Sequence, residues 1–415
     1  MKQFWRSPAL RTAGIYGAAG VGFAAANLLL ARVLPTQEYA LVTLVIALAN
    51  VGYALAPLGL DGIVNRRSLE AGPRLLGKTL LATSLTGVVF AMVGAVAYET
   101  SALLTAVVFI STAVGGTTMV AAAQFQSERR FGLSLALAQS PNLVLLLAAV
   151  VTLAAGVRDA RLPLLLMAAG WFPLAICGWR TLIRERHTKP ARGAGIPWGE
   201  ALTFAGIAVT GLLMIQLERL VLPHVLPARD LAIFGVLGAI AGSLFRMLQM
   251  GVGYTLMPRL RGAGTIQLRR KLVAREARLV GAVVLLGSAA IWVLTPWIEQ
   301  LLLGDKYHLS SALIVAALVS GITKVVNAFA RAASVALATA RELWVTNVLG
   351  WLAVVVAVAA GVVGARWGLA GVIYGVSLGW VLRSVPAFWY SARHLRLAEE
   401  VPVGQPAVAP LEDRA

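Results

Sequence analysis

What most constrains this chain is a recurring pattern: apolar stretches closed off by charged side chains, each about 20 residues long, the length one membrane-crossing helix requires. Twelve such windows lie at about 12–34, 40–60, 79–97, 101–123, 133–155 and 162–183, then 201–223, 231–256, 277–297, 310–330, 343–363 and 368–390. The eighth is interrupted by Arg246. Composition excludes the soluble alternative. Of 415 residues, 59% are hydrophobic and 13% charged. A soluble domain carries about 25% charged residues, and one soluble core stops growing near ~250–300 residues. Lys2, Arg6 and Arg11 resemble the start of a signal peptide, but the run behind them is of full span length and more spans follow, so a retained helix is expected.

The net charge of +18 would point to nucleic acid in a soluble protein. In a membrane protein it reports topology instead. With the N-terminus in the cytoplasm, 26 of the 36 Lys and Arg residues fall on the cytoplasmic side. Only Arg32, Arg158, Arg161, Arg229, Lys306 and Arg366 fall on the other, and Arg219, Arg246, Lys324 and Arg383 lie within spans. The bias of cytoplasmic loops toward Lys and Arg therefore places both termini in the cytoplasm, with no nucleic-acid partner expected. The single cysteine, Cys177, forms no internal disulfide, and four scattered histidines offer no ligand spacing. Neither a metal site nor a cofactor is expected. No loop is large enough for a catalytic domain, which argues against an enzyme. The expected organisation is an N-terminal six-helix bundle over 1–183, a cytoplasmic linker over 184–200, a C-terminal six-helix bundle over 201–398 and a disordered cytoplasmic tail over 399–415.

Sliding the sequence along itself by 192 residues aligns LLLARVLPTQEYALVTLVIALA, from Leu28, with LVLPHVLPARDLAIFGVLGAIA, from Leu220. The turn Val33-Leu34-Pro35 meets Val225-Leu226-Pro227. An even number of helices separates the copies, so both halves keep one orientation. The expected fold class is all-α integral membrane, with about 12 transmembrane helices in two six-helix bundles related by a pseudo-two-fold along the membrane normal. Substrate sites in such proteins lie at the repeat interface near the midplane.

The stretch LLLARVLPTQEYALVTLVIALANVGYALAPLGLDGIVNRR, from Leu28, resembles the opening helical pair of the polysaccharide-export and lipid-linked oligosaccharide flippases. QLERLVLPHVLPARDLAIFGVLGAIAGSLFRMLQMGVGYTLMPRL, from Gln216, is similar to their seventh and eighth helices, and LLLGDKYHLSSALIVAALV, from Leu301, to the turn before the tenth. The likeness is spread over most of the chain as loose patterns. It departs from the family at Arg229-Asp230-Leu231, where an aromatic is expected, and there are no thirteenth and fourteenth helices of the kind found in peptidoglycan-precursor flippases. The resemblance implies a place in the multidrug/oligosaccharidyl-lipid/polysaccharide exporter superfamily. It also implies partners: a lipid-linked oligosaccharide, membrane lipids, and a polysaccharide polymerase or glycosyltransferase.

A charge at the centre of a span costs at least ~2.5–3.5 kcal/mol, so it faces a cavity or a partner. Arg219, beside Glu218 in the seventh span, and Arg246 and Lys324, in the inner halves of the eighth and tenth, offer cations at different depths. Guanidinium groups suit bidentate phosphate contact. These three are the candidate substrate-binding residues, joined by Asn27, the repeat mate of Arg219, as a donor to sugar hydroxyls. Glu218 is the candidate for ion coupling. The plainer readings are that Arg219 pairs Glu218, that Lys324 and Arg331 snorkel to the inner face, and that Asn27, Gln216, Asn50, Gln249, Asn327 and Asn347 bridge helices.

Three further patterns read as structural. The run Gly72-Pro73-Arg74-Leu75-Leu76-Gly77-Lys78-Thr79 satisfies the P-loop spelling, but the mechanism needs a preceding buried strand, and here Arg66, Arg67 and Glu70 precede it between two spans. Gly371, Gly375 and Gly379, and likewise Gly238 and Gly242, have the small-xxx-small spacing of close helix packing. Trp5, Trp171, Trp297 and Trp367 stand where interfacial anchors belong.

Three functions compete. A membrane polymerase or glycosyltransferase needs a larger outside domain than these loops supply. A cation-coupled multidrug antiporter needs acids within the spans, and only Glu218, with Asp61 at the end of the second, qualifies against four internal cations. The balance favours an anionic cargo. The resemblance implies which one: a polyprenyl-pyrophosphate-linked oligosaccharide, flipped from the cytoplasmic to the outer leaflet of a bacterial plasma (inner) membrane by alternating access, for lipopolysaccharide or exopolysaccharide biosynthesis.

Overall fold

The computed structural model describes residues 8–67, 69, 71–185 and 196–397. Most of the expected 184–200 linker, the whole 399–415 tail and Trp5 lie outside the described residues. Within them, fourteen α-helices and no strand are found: α1 (Pro8–Val33), α2 (Thr36–Leu55), α3 (Leu60–Arg67), α4 (Pro73–Ala97), α5 (Ala102–Ser127), α6 (Phe131–Ala154), α7 (Arg161–Glu185), α8 (Trp198–Val225), α9 (Ala228–Leu237), α10 (Ser243–Gly262), α11 (Ile266–Leu303), α12 (Ser311–Leu337), α13 (Ala340–Gly364) and α14 (Gly368–Leu397). A π-helical turn, Gly238–Gly242, joins α9 to α10, so the two form one span through Arg246. Among the described residues, ten segments are long and apolar enough to cross a membrane; one of them, Arg341–Arg396, contains both α13 and α14. α1 adds the shorter apolar stretch Gly17–Val33. This is a multi-pass membrane protein.

The helices are apolar outward and small or hydroxylated inward. On α4, Leu81, Leu85, Val89, Met92 and Val96 are all exposed, on one helical face. The opposite face buries Thr79, Thr83, Thr86, Gly87 and Gly94. Water would not tolerate such a face; lipid does, and it leaves small residues and hydroxyls to hold helices together. Thr83 Oγ1 accordingly meets Thr117 Oγ1 of α5 at 3.0 Å. α14 follows the same rule. A Cβ on Gly371, Gly375 or Gly379 would overlap Gly364, Ala360 or Ala357 of α13, so these three glycines permit a close crossing.

Two lobes arise by repetition. α1 ends at Val33 and α2 begins at Thr36; α8 ends at Val225 and α9 begins at Ala228, the same positions shifted by 192 residues. Proline enforces the turn, because the residue before it is pushed out of helical geometry. Leu226 is extended (φ −137°, ψ 160°), and Pro35 and Pro227 cap the following helices with matching angles (φ −52°, ψ 152° and φ −60°, ψ 155°). Packing repeats as well. α1 packs on α6, α5 on α7 and α6 on α7, and correspondingly α8 on α13, α12 on α14 and α13 on α14. The lobes meet through α1 and α2 against α8, α9 and α10.

At the face that carries few basic residues, a reciprocal clasp ties the lobes. Tyr98, between α4 and α5, donates its hydroxyl to the Leu220 carbonyl of α8 at 3.0 Å, and its ring centre lies 4.8 Å from that of His224. Burial pushes this hydroxyl's pKa up to about 12, which keeps it a donor. Lys306, between α11 and α12, donates to the carbonyls of Ala31, at 2.8 Å, and of Leu34 beyond the end of α1, while Tyr307 meets Tyr39 edge-on. Each lobe thus holds the first helix of the other.

Two sequence expectations are corrected. The basic stretch at about 257–276, expected as the connection between the eighth and ninth spans, is not a loop: α10 runs to Gly262, and from Ile266 the chain is α11, a 38-residue helix whose Arg270 donates to the Leu395 carbonyl at the end of α14. Trp171 is 2% exposed and packs on Tyr53 in the first lobe's interior, whereas Trp297 (62%) and Trp367 (72%) are exposed as anchors require. The rejection of the P-loop spelling holds: α4 begins at Pro73, and Gly77, Lys78 and Thr79 are all helical.

Candidate functional site

The three cations that sequence reading singled out are brought together. Arg219 of α8, Arg246 of α10 and Lys324 of α12 line one cavity of about 100 Å³ beside α1. Phe23 of α1, Phe234 of α9, the π-turn residues Gly238, Ala241 and Gly242, and Ser243, Gln249 and Ser320 complete much of its wall. A smaller adjoining space shares Phe23, Ser243 and Arg246 and reaches Gln139 and Asn142 of α6, so Arg246 stands where the lobes meet.

Each cation is held differently. Arg219 donates Nη1 to Gln216 Oε1 at 2.8 Å and lies 5.9 Å from the Phe234 ring centre, with its Nε–H unpartnered. Arg246 lies 5.7 Å from the Phe23 ring centre. It forms no ion pair among the described residues. Aromatic faces stabilise a cation by about 0.5–2 kcal/mol without neutralising it. Lys324 is the exception, since its Nζ meets Glu218 Oε1 at 2.6 Å. Ser320 Oγ donates to the same oxygen at 3.2 Å, and Glu218 Oε2 is buried with no partner.

The Glu218–Arg219 pair of the plainer reading is therefore not formed. Adjacent residues on a helix point about 100° apart, so Glu218 turns to α12 while Arg219 turns to the cavity. Asn27 does not line the cavity either. Its Nδ2 donates to Phe23 O at 2.8 Å and its Oδ1 accepts from Tyr39 at 3.5 Å, a packing role one turn along α1 from the cavity wall. Asn327 bridges to Ser384 of α14 at 3.1 Å, as the plainer reading held. Gly238 and Gly242 are not a packing pair. A Cβ on Gly242 would meet nothing within 4 Å, and one on Gly238 would meet only Arg219 Nη2, at 3.0 Å. They form a π-turn, a feature frequent at functional sites, and leave room for the guanidinium. The sequence gives no signal for Ser243, Ser320 or the two phenylalanines beyond their presence in apolar runs.

No family model matches the chain, and no curated protein was found to match it. Solved structures do. A multidrug resistance MATE family transporter of the MOP superfamily, in an inward-facing conformation, superposes with a TM-score of 0.66 at 11% identity, covering 95% of this chain and 100% of that one. The fold is that of the MOP-superfamily transporters. An outward-facing conformation of a MATE family transporter of the MOP superfamily gives a TM-score of 0.56 at 14% identity, with 96% and 98% coverage. The lipid II flippase MurJ, in an inward closed conformation, gives 0.61 at 9% identity, with 92% and 87% coverage. At such identities the likeness is one of MOP fold. That fold is shared by the multidrug resistance MATE family transporters and by the lipid II flippase MurJ.

Proposed function

We propose that this protein flips a polyprenyl-pyrophosphate-linked oligosaccharide from the cytoplasmic to the outer leaflet of a bacterial inner membrane, both termini being cytoplasmic, for surface polysaccharide biosynthesis. The observation that carries this reading is the charge of the cavity. Arg219 and Arg246 face it with no carboxylate partner among the described residues, and the one acid beside it, Glu218, is already taken by Lys324. A desolvated pyrophosphate needs such donors, and an arginine fork binds two of its oxygens at once. A cationic drug would meet repulsion instead. The relatives of similar fold include both kinds of transporter, so the choice rests on the cavity.

The second reading, a cation-coupled multidrug antiporter, draws on Glu218. Its buried and unpartnered Oε2 offers a proton or Na⁺ a place if Lys324 lets go. Both readings are tested in proteoliposomes by comparing translocation of a short-chain prenyl-pyrophosphate sugar with efflux of a lipophilic cation. Lipid-sugar movement without cation efflux supports the proposal. The reverse result replaces it with the antiporter.

A further inference from the structure

Away from the cavity, two more arginines converge inside the second lobe. Arg383, midway along α14, is 8% exposed. It donates Nη1 to Thr210 O at 3.0 Å and Nη2 to Thr210 Oγ1 at 3.1 Å, both on α8, and lies 5.8 Å from the Trp380 ring centre. These partners are all neutral. Arg331 stands near the C-terminal end of α12, where snorkelling would carry it to the nearest face. Side chains on a helix lean toward its N-terminus, and Arg331 is turned back into the bundle. Its Nη1 lies 3.2 Å from the place a Cβ on Gly211 of α8 would occupy, and Nη2 of Arg383 lies 3.4 Å from that same point.

Two guanidinium groups therefore face one small space, kept open by Gly211 and bounded by Gly350 of α13, whose Cβ position is 3.8 Å from Arg383 Nε. Lys324 stands 6.0 Å from the Trp380 ring centre but is already paired with Glu218, so the charge at this place is that of the two arginines. Neither arginine forms an ion pair among the described residues. Like charges drawn together at low dielectric repel strongly, and an anion at Gly211 would turn that repulsion into attraction. Arg331 is exposed, which gives a ligand its way in, while Arg383 forms the buried floor.

We infer that Arg331, Arg383 and Gly211 form a second anion-binding site, separate from the central cavity, which takes a phosphate-type oxyanion. Two forks present several N–H donors to one point, which suits a group with many acceptor oxygens. A phosphate or pyrophosphate carries about two negative charges and balances both arginines, whereas a carboxylate balances one. The inference stands on this geometry and does not depend on what the central cavity carries.

The test is calorimetric titration of inorganic pyrophosphate into the full chain, purified in neutral detergent at low chloride. Arg331→Gln should weaken one class of sites at least 10-fold, and Arg331→Lys should retain part of it. Gly211→Ala puts a methyl 3.2 Å from Arg331 Nη1 and 3.4 Å from Arg383 Nη2, crowding the space between the two forks, and should weaken binding similarly, through a change that removes no charge. Arg246→Ala, in the central cavity, should leave this class intact. If Arg331→Gln and Gly211→Ala both titrate like the wild type, or if all pyrophosphate binding vanishes with Arg246→Ala alone, the second site does not exist, and the central-cavity reading is unaffected. Repeating the titration in nanodiscs assigns the occupant. Loss of the Arg331-dependent signal in phosphatidylglycerol but not phosphatidylcholine identifies an anionic lipid headgroup; equal signals identify a soluble phosphate.

Discussion

The Glu218 carboxylate and the Lys324 ammonium stand 2.6 Å apart and join α8 to α12 along the wall of the cavity. The acid's side chain is 1% exposed and the lysine's 18%, so the acid depends on the lysine more than the reverse. Removing one partner of a buried pair leaves an uncompensated charge and costs about 3–5 kcal/mol, whereas replacing both is often neutral. Lys324→Ala should therefore lower thermal stability in detergent, by an amount near the lower end of that range because the lysine is partly exposed. Adding Glu218→Gln should recover most of the loss. A double variant that melts no higher than the single one would show that the pair is not what holds these helices.

Arg246 has no ion-pair partner to strand among the described residues, so its replacement should spare the fold and strike function. Arg246→Ala should insert normally and lose translocation of the lipid-linked substrate. Arg246→Lys should keep a fraction of it, because a point charge replaces only part of a bidentate fork. Normal transport by the alanine variant would remove Arg246 from the site.

The Tyr98 and Lys306 clasp should set how readily the lobes part. Each hydrogen bond is worth about 0.5–1.5 kcal/mol, and every 1.4 kcal/mol is a tenfold change in an equilibrium. The double variant Tyr98→Phe, Lys306→Met should raise the population open at this face by roughly 10- to 100-fold. Spin labels at Glu99 and Asp305, with the exposed Cys177 first changed to serine, would report it as a longer distance component. Tyr98's part of the clasp should not vary below about pH 10, because the raised pKa keeps its donor proton until the pH climbs toward 12. Lys306, whose pKa burial lowers, should give up its charge at a lower pH than a free lysine. An unchanged distance distribution would mean that the clasp does not govern opening.

Gly375 and Gly281 should behave oppositely. A Cβ on Gly375 runs into the Ala360 carbonyl of α13, whereas one on Gly281 of α11 meets nothing within 4 Å. Overpacking costs about 1–3 kcal/mol, so Gly375→Ala should lower the melting temperature. Gly281→Ala should leave it level or raise it slightly, since alanine is the better helix former. Equal melting of the two would refute the close α13–α14 crossing.

Hydropathy, charge and repeat made the spans, the shared Pro35 and Pro227 turn and the three cavity cations legible, because each depends on local sequence. The pairing of Glu218 with Lys324 was not, since 106 residues separate them and only the placement of Lys324 on α12 within reach of α8 chooses between it and the adjacent Arg219. The first turns of α11 escaped for another reason: Arg269, Arg270, Lys271 and Arg275 lower hydropathy without opposing helix formation. The plainer reading of Arg331 as snorkelling does not hold, because charge counts carry no direction, and its guanidinium is turned instead toward Gly211 of α8.

Outward flipping should be assisted by the membrane potential and should need no nucleotide. An interior-negative potential repels an anion outward by about 2.3 kcal/mol per charge per 100 mV. For a pyrophosphate of roughly two charges at 100 mV the assistance approaches ~4–5 kcal/mol if the whole field is crossed. It falls below that to the extent that Arg219, Arg246 or Lys324 moves with the cargo as countercharge. Glu218 can add coupling through Lys324 instead of Arg219: a lysine drawn to the substrate leaves the carboxylate free for a proton or Na⁺, and its return expels that ion. Rates in proteoliposomes at imposed potentials should therefore rise with an interior-negative potential in the absence of nucleotide. Lys324→Met should abolish any dependence on ion gradients while leaving the dependence on potential. Rates that ignore potential and ion gradients alike, yet increase with added ATP, would overturn this mechanism, and would do so although Gly77, Lys78 and Thr79 lie within α4, where they form no phosphate-binding loop.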